Sequence, residues 1–292
     1  MMRRFFALLL SLSLLSPSLS FAQTVARPSL WHVRGANADV YLLGSVHILP
    51  PGVQWRSKPI RDAIARADVF VFEVPQDAEA LARLQEMIAA KGMLPPGQTL
   101  RDLLSPSARA DFDAVLASSG LAASAVERSR PWLAGLQLLF AQIAKHNFAV
   151  ENGVDAQLAA HAMKAGKPLR YLESVEQQFA VLAPEDRALE MEQFEAGLKD
   201  LKDIAGQVQP MVDAWAAGDQ KRLDQLINGD LERFPAARKA LLEDRNRAWL
   251  PQISAMLKEK GTFLVTVGAG HLTGSQGLPA LLRKAGHKVD GP

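Results

Sequence analysis

Cysteine is absent from the 292 residues of the chain. Disulfide bridges, thiolate metal ligands, cysteine nucleophiles and lipid attachment to a cysteine are therefore excluded. An excess of charge is absent too, since 33 Lys and Arg residues are balanced by 31 Asp and Glu residues. This balance gives no reason to expect nucleic acid or an anionic membrane surface as a partner.

Long hydrophobic runs are missing beyond the first residues of the chain. The first 22 residues have the three parts of a secretory signal peptide: Arg3 and Arg4, the apolar run Phe5–Leu15, and small residues around the site Ser20–Ala22. We expect cleavage directly after this site and export to the periplasm, or secretion. No later segment approaches the roughly 18 uninterrupted apolar residues of a membrane-spanning helix, so we expect no transmembrane span in the mature chain.

Short apolar runs rich in Val, Ile, Leu and Phe predict the strands of a sheet. A hairpin is expected from residues 29–33 and 39–43, further strands from residues 68–74, 169–172 and 262–267, and an edge strand from residues 287–289. The intervening sequence is amphipathic and predicts helices, with breaks near Gly206, Gly218 and Gly229.

The order of these elements predicts one α/β (α+β) domain over residues 23–292. Its central mixed sheet is interrupted by a large helical insertion, a helical subdomain at about residues 77–165 and 184–260.

Two strands of the predicted sheet end in the same pattern, G-x-x-H. The strand at residues 40–43 is followed by Gly44-Ser-Val-His47, and the strand at residues 262–267 by Gly268-Ala-Gly-His271. Open α/β sheets bind ligands at the carboxyl ends of their strands. Imidazole at such a position can bind a metal ion or transfer protons near neutral pH, whereas the alternative is a histidine that only caps the strand end.

A carboxylate interrupts the apolar strand at residues 68–74. Glu73 shares a face with Val69 and Val71, and burial of a carboxylate is costly unless it is paired or bound to a cation. We therefore favour a functional role for Glu73 over a solvent-facing position on an edge strand. Asp155, at a predicted helix start, and Glu173, at a strand end, are weaker candidates.

Arg245 and Asn246 are candidates because of their place on a predicted helix. The apolar residues Leu242, Trp249 and Ile253 form one stripe of this helix, and Arg245 falls on the same stripe. A guanidinium there needs a carboxylate or an anion as its partner. The alternative is that only the stem packs and the charged head reaches water.

Together these residues resemble the TraB/GumN family, which is related to the TIKI metalloproteases. The resemblance covers nearly the whole mature chain in the family's order, and the helical middle is similar only in character. The matching motifs are Gly44-Ser-Val-His47, Phe72-Glu73, Pro131-Trp132, Gly153-Val-Asp155, Leu172-Glu173 with Gln177, Arg245-Asn246 and Gly268-Ala-Gly-His-Leu272.

The resemblance implies a peptidase-like site that depends on a divalent metal ion. His47 and His271 would be metal ligands or proton-transfer groups, and Glu73 would be a ligand or the base. Arg245 and Asn246 would steady the substrate or an oxyanion. The paired histidines and glutamate are more distantly similar to the erythromycin-esterase and ChaN group, whose members hydrolyse esters without a metal or bind haem.

Three functional hypotheses follow from these residues. The first is an exported, metal-assisted hydrolase that acts on a peptide, in which the ion lowers the pKa of a bound water molecule. The second is ester hydrolysis without a metal, with a histidine as the general base oriented by Glu73. The third is a binding protein for haem or another small ligand, for which residues 133–148 offer an apolar surface but are more simply a core helix.

Overall fold

A computed structural model describes residues 26–292 of the chain, so the expected signal peptide lies outside the described residues. A six-stranded mixed sheet forms its centre, in the order β4-β3-β5-β2-β1-β6. The strands are β1 (Leu30–Arg34), β2 (Ala38–Ser45), β3 (Val69–Phe72), β4 (Leu169–Tyr171), β5 (Gly261–Gly268) and β6 (Val289–Asp290). The α/β fold predicted from the sequence, with a mixed sheet and a large helical part, is confirmed.

Helices fill the intervals between the strands. The α-helices are α1 (Lys58–Arg66), α2 (Ala78–Lys91), α3 (Leu100–Leu103), α4 (Pro106–Ser119), α5 (Ala123–Val126), α6 (Pro131–Lys145), α7 (Val154–Lys164), α8 (Val175–Leu182), α9 (Arg187–Leu201), α10 (Ile204–Ala217), α11 (Gln220–Leu231), α12 (Pro235–Arg238), α13 (Asp244–Met256) and α14 (Leu278–Lys284). A π-helical turn, Lys239–Glu243, precedes α13, and a 3₁₀ turn, Ala269–Leu272, follows β5.

The sheet has an antiparallel side and a parallel side. β1 pairs antiparallel with β2 as the predicted hairpin, and β6 pairs antiparallel with β1 at the edge. β2, β5, β3 and β4 are all parallel, with Ser45 opposite Gly268 and Phe72 opposite Tyr171. The carboxyl ends of these four strands therefore lie along one edge of the sheet, which is where the candidate residues follow them.

Each face of the sheet packs against its own set of helices. Leu43, Phe70 and Leu264 belong to one buried cluster with α1, α7, α10 and α11. Leu42 and Val265, which alternate with them, belong to a second cluster with α13 and α14. Near-continuous apolar strands are expected in a parallel sheet that is covered on both faces. A third cluster lies within the helical insertion and joins α4, α6 and α9.

A helix break lies within a few residues of each of the three expected positions, since residues 202–203 separate α9 from α10 and residues 232–234 separate α11 from α12. Gly206 lies in the first turn of α10, because Asp203 caps that helix by accepting the N–H of Gly206. Gly229 lies inside α11, which continues to Leu231. Gly218 does end α10, with a φ of 70°, a left-handed conformation that glycine adopts without a steric penalty.

Within residues 26–292, no helix is both long enough and apolar enough to cross a bilayer.

Candidate functional site at the carboxyl edge of the sheet

The first G-x-x-H unit places His47 beside the start of α7. The Nδ1 atom of His47 lies 3.0 Å from Oδ1 of Asp155, and the hydroxyl of Ser45 donates to the same oxygen. Since a carboxylate only accepts, Nδ1 of His47 carries a proton. About half of the His47 side chain remains exposed, so its Nε2 edge is accessible from the adjoining cleft.

A glycine allows the loop of His47 to contact α7 this closely. A Cβ atom on Gly153 would lie 2.1 Å from the carbonyl oxygen of His47, which no side chain can tolerate. The N–H of Val154 donates to the carbonyl of Val46 across the same contact. The Gly153-Val-Asp155 motif thus joins the loop to the helix that supplies the partner of His47.

Glu73 and Glu173 follow two adjacent parallel strands, and one arginine pairs with both. Glu73 comes directly after β3, and its carbonyl accepts the N–H of Glu173 at the end of β4. Nη2 of Arg245 donates to Glu73 Oε2 at 2.5 Å and to Glu173 Oε1 at 2.7 Å, and Nε donates to Glu173 Oε2 at 3.1 Å. The side chains of Arg245, Glu73 and Glu173 are only 13%, 10% and 5% exposed. The expected contact of Arg245 with a carboxylate is therefore present, with Glu73 and Glu173 but not with Asp155.

The second G-x-x-H unit buries His271, and the hydrogen bonds of its imidazole show which nitrogen carries the proton. Nδ1 of His271 lies 2.7 Å from Asn246 Oδ1, and Nε2 lies 3.0 Å from Nη1 of Arg245. A guanidinium only donates, so Nε2 must be the acceptor and Nδ1 must carry the proton. The orientation of Asn246 agrees, because its Nδ2 donates to the carbonyls of His271 and Gln276 and thereby turns Oδ1 toward the ring.

The side chains of His47, Glu73 and His271 converge on Gly268. The N–H of Gly268 donates to Glu73 Oε1 at 2.6 Å. A Cβ atom on Gly268 would lie 3.1 Å from His47 Nε2, 3.3 Å from Glu73 Oε1 and 3.6 Å from His271 Cδ2. Glycine at this position therefore leaves a small space that faces both imidazoles and the carboxylate.

Residues 29–291, which contain all of these groups, match the TraB/PrgY/gumN family. The chain belongs to this family. The uncharacterized protein YbaP of Escherichia coli strain K12 is 25% identical to it over 255 residues, covering 85% of this chain and 89% of YbaP. YbaP of Shigella flexneri matches equally. An uncharacterized protein of Treponema pallidum strain Nichols is 22% identical over 93% of this chain and 88% of that protein. No solved structure matches the chain.

Near neutral pH, His47 and His271 of this TraB/PrgY/gumN chain differ in charge. Desolvation opposes a charge on His47, but the hydrogen bond to Asp155 and the charges of Asp155 and Glu73 prevail and raise the pKa of His47 to about 9. Burial, Arg245 and His47 outweigh the charge of Glu73 and lower the pKa of His271 to about 3. His47 is thus an imidazolium and His271 a neutral imidazole.

The carboxylates of the site remain ionised. Burial alone would raise the pKa of Glu73, but the charges of Arg245 and His47 and the N–H of Gly268 hold it below its usual value. Burial acts on Asp155 in the same way, and the contacts with His47 and Ser45 hold its pKa below the usual value. The pKa values of Glu73 and His47 are thus displaced in opposite directions, because each charge stabilises the other.

A cleft of about 690 Å³ opens onto His47, Glu73, Asp155 and Arg245. Its volume is within the range of small-molecule sites. Thr266 of β5 also lines this cleft, although it is only 1% exposed. Within residues 26–292, its hydroxyl has no hydrogen-bond partner.

The metal ion expected from the sequence would bind at His47, His271 and Glu73 of this TraB/PrgY/gumN site. A divalent ion would need His47, His271 and Glu73 to direct lone pairs to one point about 2 Å from each. Instead, Arg245 donates to Nε2 of His271 and to Oε2 of Glu73. Among residues 26–292, no group of three or more His, Cys, Asp and Glu side chains is arranged to hold a metal. The three residues do not fit a metal ion while the guanidinium stays between them.

The structure places the sequence-derived candidates in two layers. His47, Glu73 and Arg245 line the cleft, whereas His271 is 3% exposed and Asn246, at 1%, lies behind it. Asn246 therefore contacts the imidazole of His271 and not the cavity. Thr266 was not among the candidates predicted from the sequence, although a polar residue within the apolar run 263–267 was a visible signal.

Proposed function

We propose that the chain is a hydrolase that cleaves an ester or amide bond with Glu73 and His47 as its acid–base pair. The observation that carries this proposal is their meeting over Gly268, with a carboxylate on one side and an imidazolium on the other. At neutral pH each group has the protonation state that its role requires. No charge has to be redistributed before the reaction.

In this mechanism, Glu73 takes a proton from a water molecule as the water oxygen bonds to the carbonyl carbon. His47 donates its Nε2 proton to the leaving oxygen or nitrogen as the tetrahedral intermediate collapses. The products are a carboxylic acid and an alcohol or amine, and the proton on Glu73 returns to His47 through solvent. The other side chains are positioning residues: Asp155 keeps His47 charged, and Arg245 keeps Glu73 ionised.

The hydroxyl of Thr266 adds support for a polar substrate group in the cleft. A buried hydroxyl without a partner costs about 1–3 kcal/mol, and a substrate carbonyl would supply the missing acceptor. Unpaired buried polar groups are rare in native folds, and a catalytic role is one of the known reasons for them. We propose that Thr266 donates to the substrate carbonyl.

The test of this function compares Glu73→Gln and His47→Gln with the parent on p-nitrophenyl acetate and on a fluorescent casein digest. Loss of one acid or base should lower kcat/KM by about 10²- to 10⁴-fold. His32→Gln is a matched control, because His32 also pairs with a carboxylate, Asp39, at 2.6 Å but lies on β1 outside the cleft. Equal activity of the parent and both site variants would refute the proposal.

Metal-assisted hydrolysis at the same residues is the second candidate. One contact favours it: a histidine with Nδ1 on a carboxylate and Nε2 toward a cavity is the usual arrangement of a metal ligand. The donors of Arg245 oppose it, as described above. Metal analysis of the purified protein, followed by activity with and without a chelator, decides between the two. Stoichiometric metal and loss of activity on chelation would favour the metal-assisted form.

Haem binding is the third hypothesis from the sequence, and the charge of His47 argues against it. An axial haem ligand is a neutral imidazole, whereas His47 is protonated and His271 is buried. Titration with haemin, followed by visible absorption, tests this possibility. A sharp Soret shift at one equivalent that disappears in His47→Gln would support haem binding and count against the acid–base role.

We propose further that the protein is exported and acts in the periplasm. The three-part pattern of residues 1–22 supports this location. N-terminal sequencing of the fractionated protein tests it. We expect a soluble chain that begins at residue 23, and intact Met1 in the cytoplasmic or membrane fraction would refute the proposal.

A further inference from the structure

The cleft above Glu73 and His47 has polar groups at one end and apolar walls elsewhere. His47, Glu73, Asp155, Arg245 and Thr266 lie where the strands end. The remaining walls come mainly from apolar side chains of the helical part, among them Leu81, Leu84, Phe140, Phe179, Leu182 and Leu241. A ligand that matches this cleft has one polar group and a much larger apolar part.

Exposed apolar side chains concentrate around this cleft. Seven large hydrophobic residues are exposed within residues 26–292, and four of them line it: Leu81, Phe140, Val150 and Leu182. Leu81 and Phe140, on α2 and α6, are 52% and 47% exposed. On a monomeric protein, a large contiguous patch of exposed apolar surface usually marks a binding site.

The apolar surface continues beyond the cleft. A second cavity of about 380 Å³ shares Val181, Leu182 and Leu241 with it and extends to Trp132 and Phe194. The two cavities therefore adjoin each other at these three residues. The apolar lining on the helical side of the site thus extends from the cleft to Trp132 and Phe194.

The nature of the walls decides between an acyl chain and a peptide. A buried peptide must pair an N–H and a C=O group for every residue. The lining supplies few groups for such pairing: near the polar end it has two side-chain amides, and each already donates one N–H, Gln76 to Asp155 and Gln178 to Glu173. A hydrocarbon chain needs no such partners. The same polar end disfavours a free fatty acid, because its carboxylate would approach Glu73 and Asp155 while Arg245 is already paired.

We propose that the substrate is a medium- or long-chain acyl ester, with its carbonyl near Thr266 and its chain along the apolar cleft. This inference rests on the proposed hydrolase function and names its substrate class. After cleavage, the fatty carboxylate would lie beside Glu73, and repulsion between the two anions would favour its release. The alcohol part of the ester leaves with the proton of His47.

Chain-length dependence tests the inference in two separate assays. In the first, decanol and butanol compete with the uncharged dye N-phenyl-1-naphthylamine for the cleft, so no hydrolysis is needed. Each methylene that enters an apolar site should strengthen binding by about fourfold. In the second, p-nitrophenyl octanoate and acetate are compared as substrates, and the octanoate should have a KM at least about tenfold lower.

Variants at the rim locate the chain. Leu81→Gln combined with Phe140→Gln should weaken decanol binding by about tenfold or more and remove the preference for octanoate. The matched control is Met163→Gln, because Met163 is 63% exposed on α7 but lies outside both cavities. This control should leave both assays unchanged.

The outcomes separate this inference from the proposed function. Decanol binding that depends on the rim, without hydrolysis of either ester, would overturn the hydrolase and leave the acyl site. Hydrolysis that depends on Glu73, with no preference for longer chains or with faster cleavage of casein peptides, would overturn the acyl ester and leave the hydrolase. Equal decanol affinity in the parent and the rim variant would also overturn the acyl site.

Discussion

The histidines of the two G-x-x-H units occupy opposite surroundings, although each follows a parallel strand and a glycine-containing turn. The side chain of His47 is 54% exposed, and that of His271 is 4% exposed. Nδ1 of His47 contacts the carboxylate of Asp155, whereas Nδ1 of His271 contacts the amide of Asn246. These two partners have nearly the same shape but differ by one charge.

Burial lowers the pKa of both imidazoles, and the partner on Nδ1 offsets it only at His47. A carboxylate stabilises the imidazolium, while a neutral amide fixes the ring and adds no charge to stabilise a proton. The neighbour on Nε2 strengthens this difference, since His271 faces the guanidinium of Arg245. One sequence motif thus provides a charged group at the cleft and a neutral group behind it.

The largest effect is expected from Arg245→Ala, which removes the cation beside His271. Glu73 and Glu173 would be left as buried carboxylates without their partner, with side chains 10% and 5% exposed. Breaking a buried pair from one side typically costs about 3–5 kcal/mol of the free energy of unfolding. Chemical denaturation of the variant and the parent at pH 7 measures this loss.

Arg247→Ala is the matched control for that experiment. Arg247 lies on the same helix α13 and pairs with Glu243 and Asp244, but its side chain is 50% exposed. Exposed pairs contribute less than about 1 kcal/mol. Arg245→Lys refines the comparison, because lysine keeps the charge but lacks the planar fork that contacts both oxygens of Glu173. Equal unfolding curves for Arg245→Ala and the parent would mean that the pairs of Arg245 with Glu73 and Glu173 contribute nothing to stability.

Acid should destabilise the fold through His271 by a somewhat smaller amount. Its pKa is about 3 in the folded chain, and an unfolded histidine titrates near 6.5. Between these values the unfolded state binds the extra proton, so stability falls as the pH decreases. From pH 7 to pH 4 this imidazole alone should remove roughly 3 kcal/mol.

Denaturation at several pH values, in the parent and in His271→Gln, isolates this contribution. Between pH 7 and pH 4, unfolding of His271→Gln should take up about one proton fewer than unfolding of the parent. Glu73 and Asp155, whose pKa values are also lowered, contribute to the pH dependence of stability in both proteins. Identical slopes in the two proteins would show that His271 is protonated in the folded state, and that the contrast with His47 is incorrect.

The sheet and the position of the site were predictable because both depend on local patterns. Apolar runs identified the parallel strands, and the glycines after two of them identified the edge where His47 and His271 lie. The partners were harder to predict. Asp155 and Asn246 are 108 and 25 positions from the histidines that they contact, and no periodicity relates them. Which histidine is charged follows from those contacts and cannot be read from the motif.

Asp155→Asn should convert the surroundings of His47 toward those of His271. Without the carboxylate, the pKa of His47 should fall from about 9 toward the ordinary 6.5. The basic limb of the pH–activity profile should move down with it, because His47 must be protonated to act as the acid. An NMR titration of the imidazole signals, assigned with His47→Gln, measures the pKa directly.

The same variant also changes the pH dependence of stability. In the parent, the raised pKa of His47 stabilises the fold fully below about pH 6.5, and this contribution is lost as the pH rises through about 9. Asp155→Asn should remove that alkaline loss. Unchanged titration of His47 in the variant would mean that Glu73, and not Asp155, determines its charge.

The smallest effect on stability is expected from Thr266→Val, and it should have the opposite sign. Valine keeps the shape of threonine and removes a hydroxyl that is buried on β5 and has no partner within residues 26–292. The variant should therefore be more stable by about 1 kcal/mol, as measured by chemical denaturation. If Thr266 donates to the substrate carbonyl, the same change should lower kcat/KM by about tenfold or more. Thr262→Val, at the more exposed start of the same strand, is the control, and a loss of stability in Thr266→Val would mean that its hydroxyl bonds within the fold.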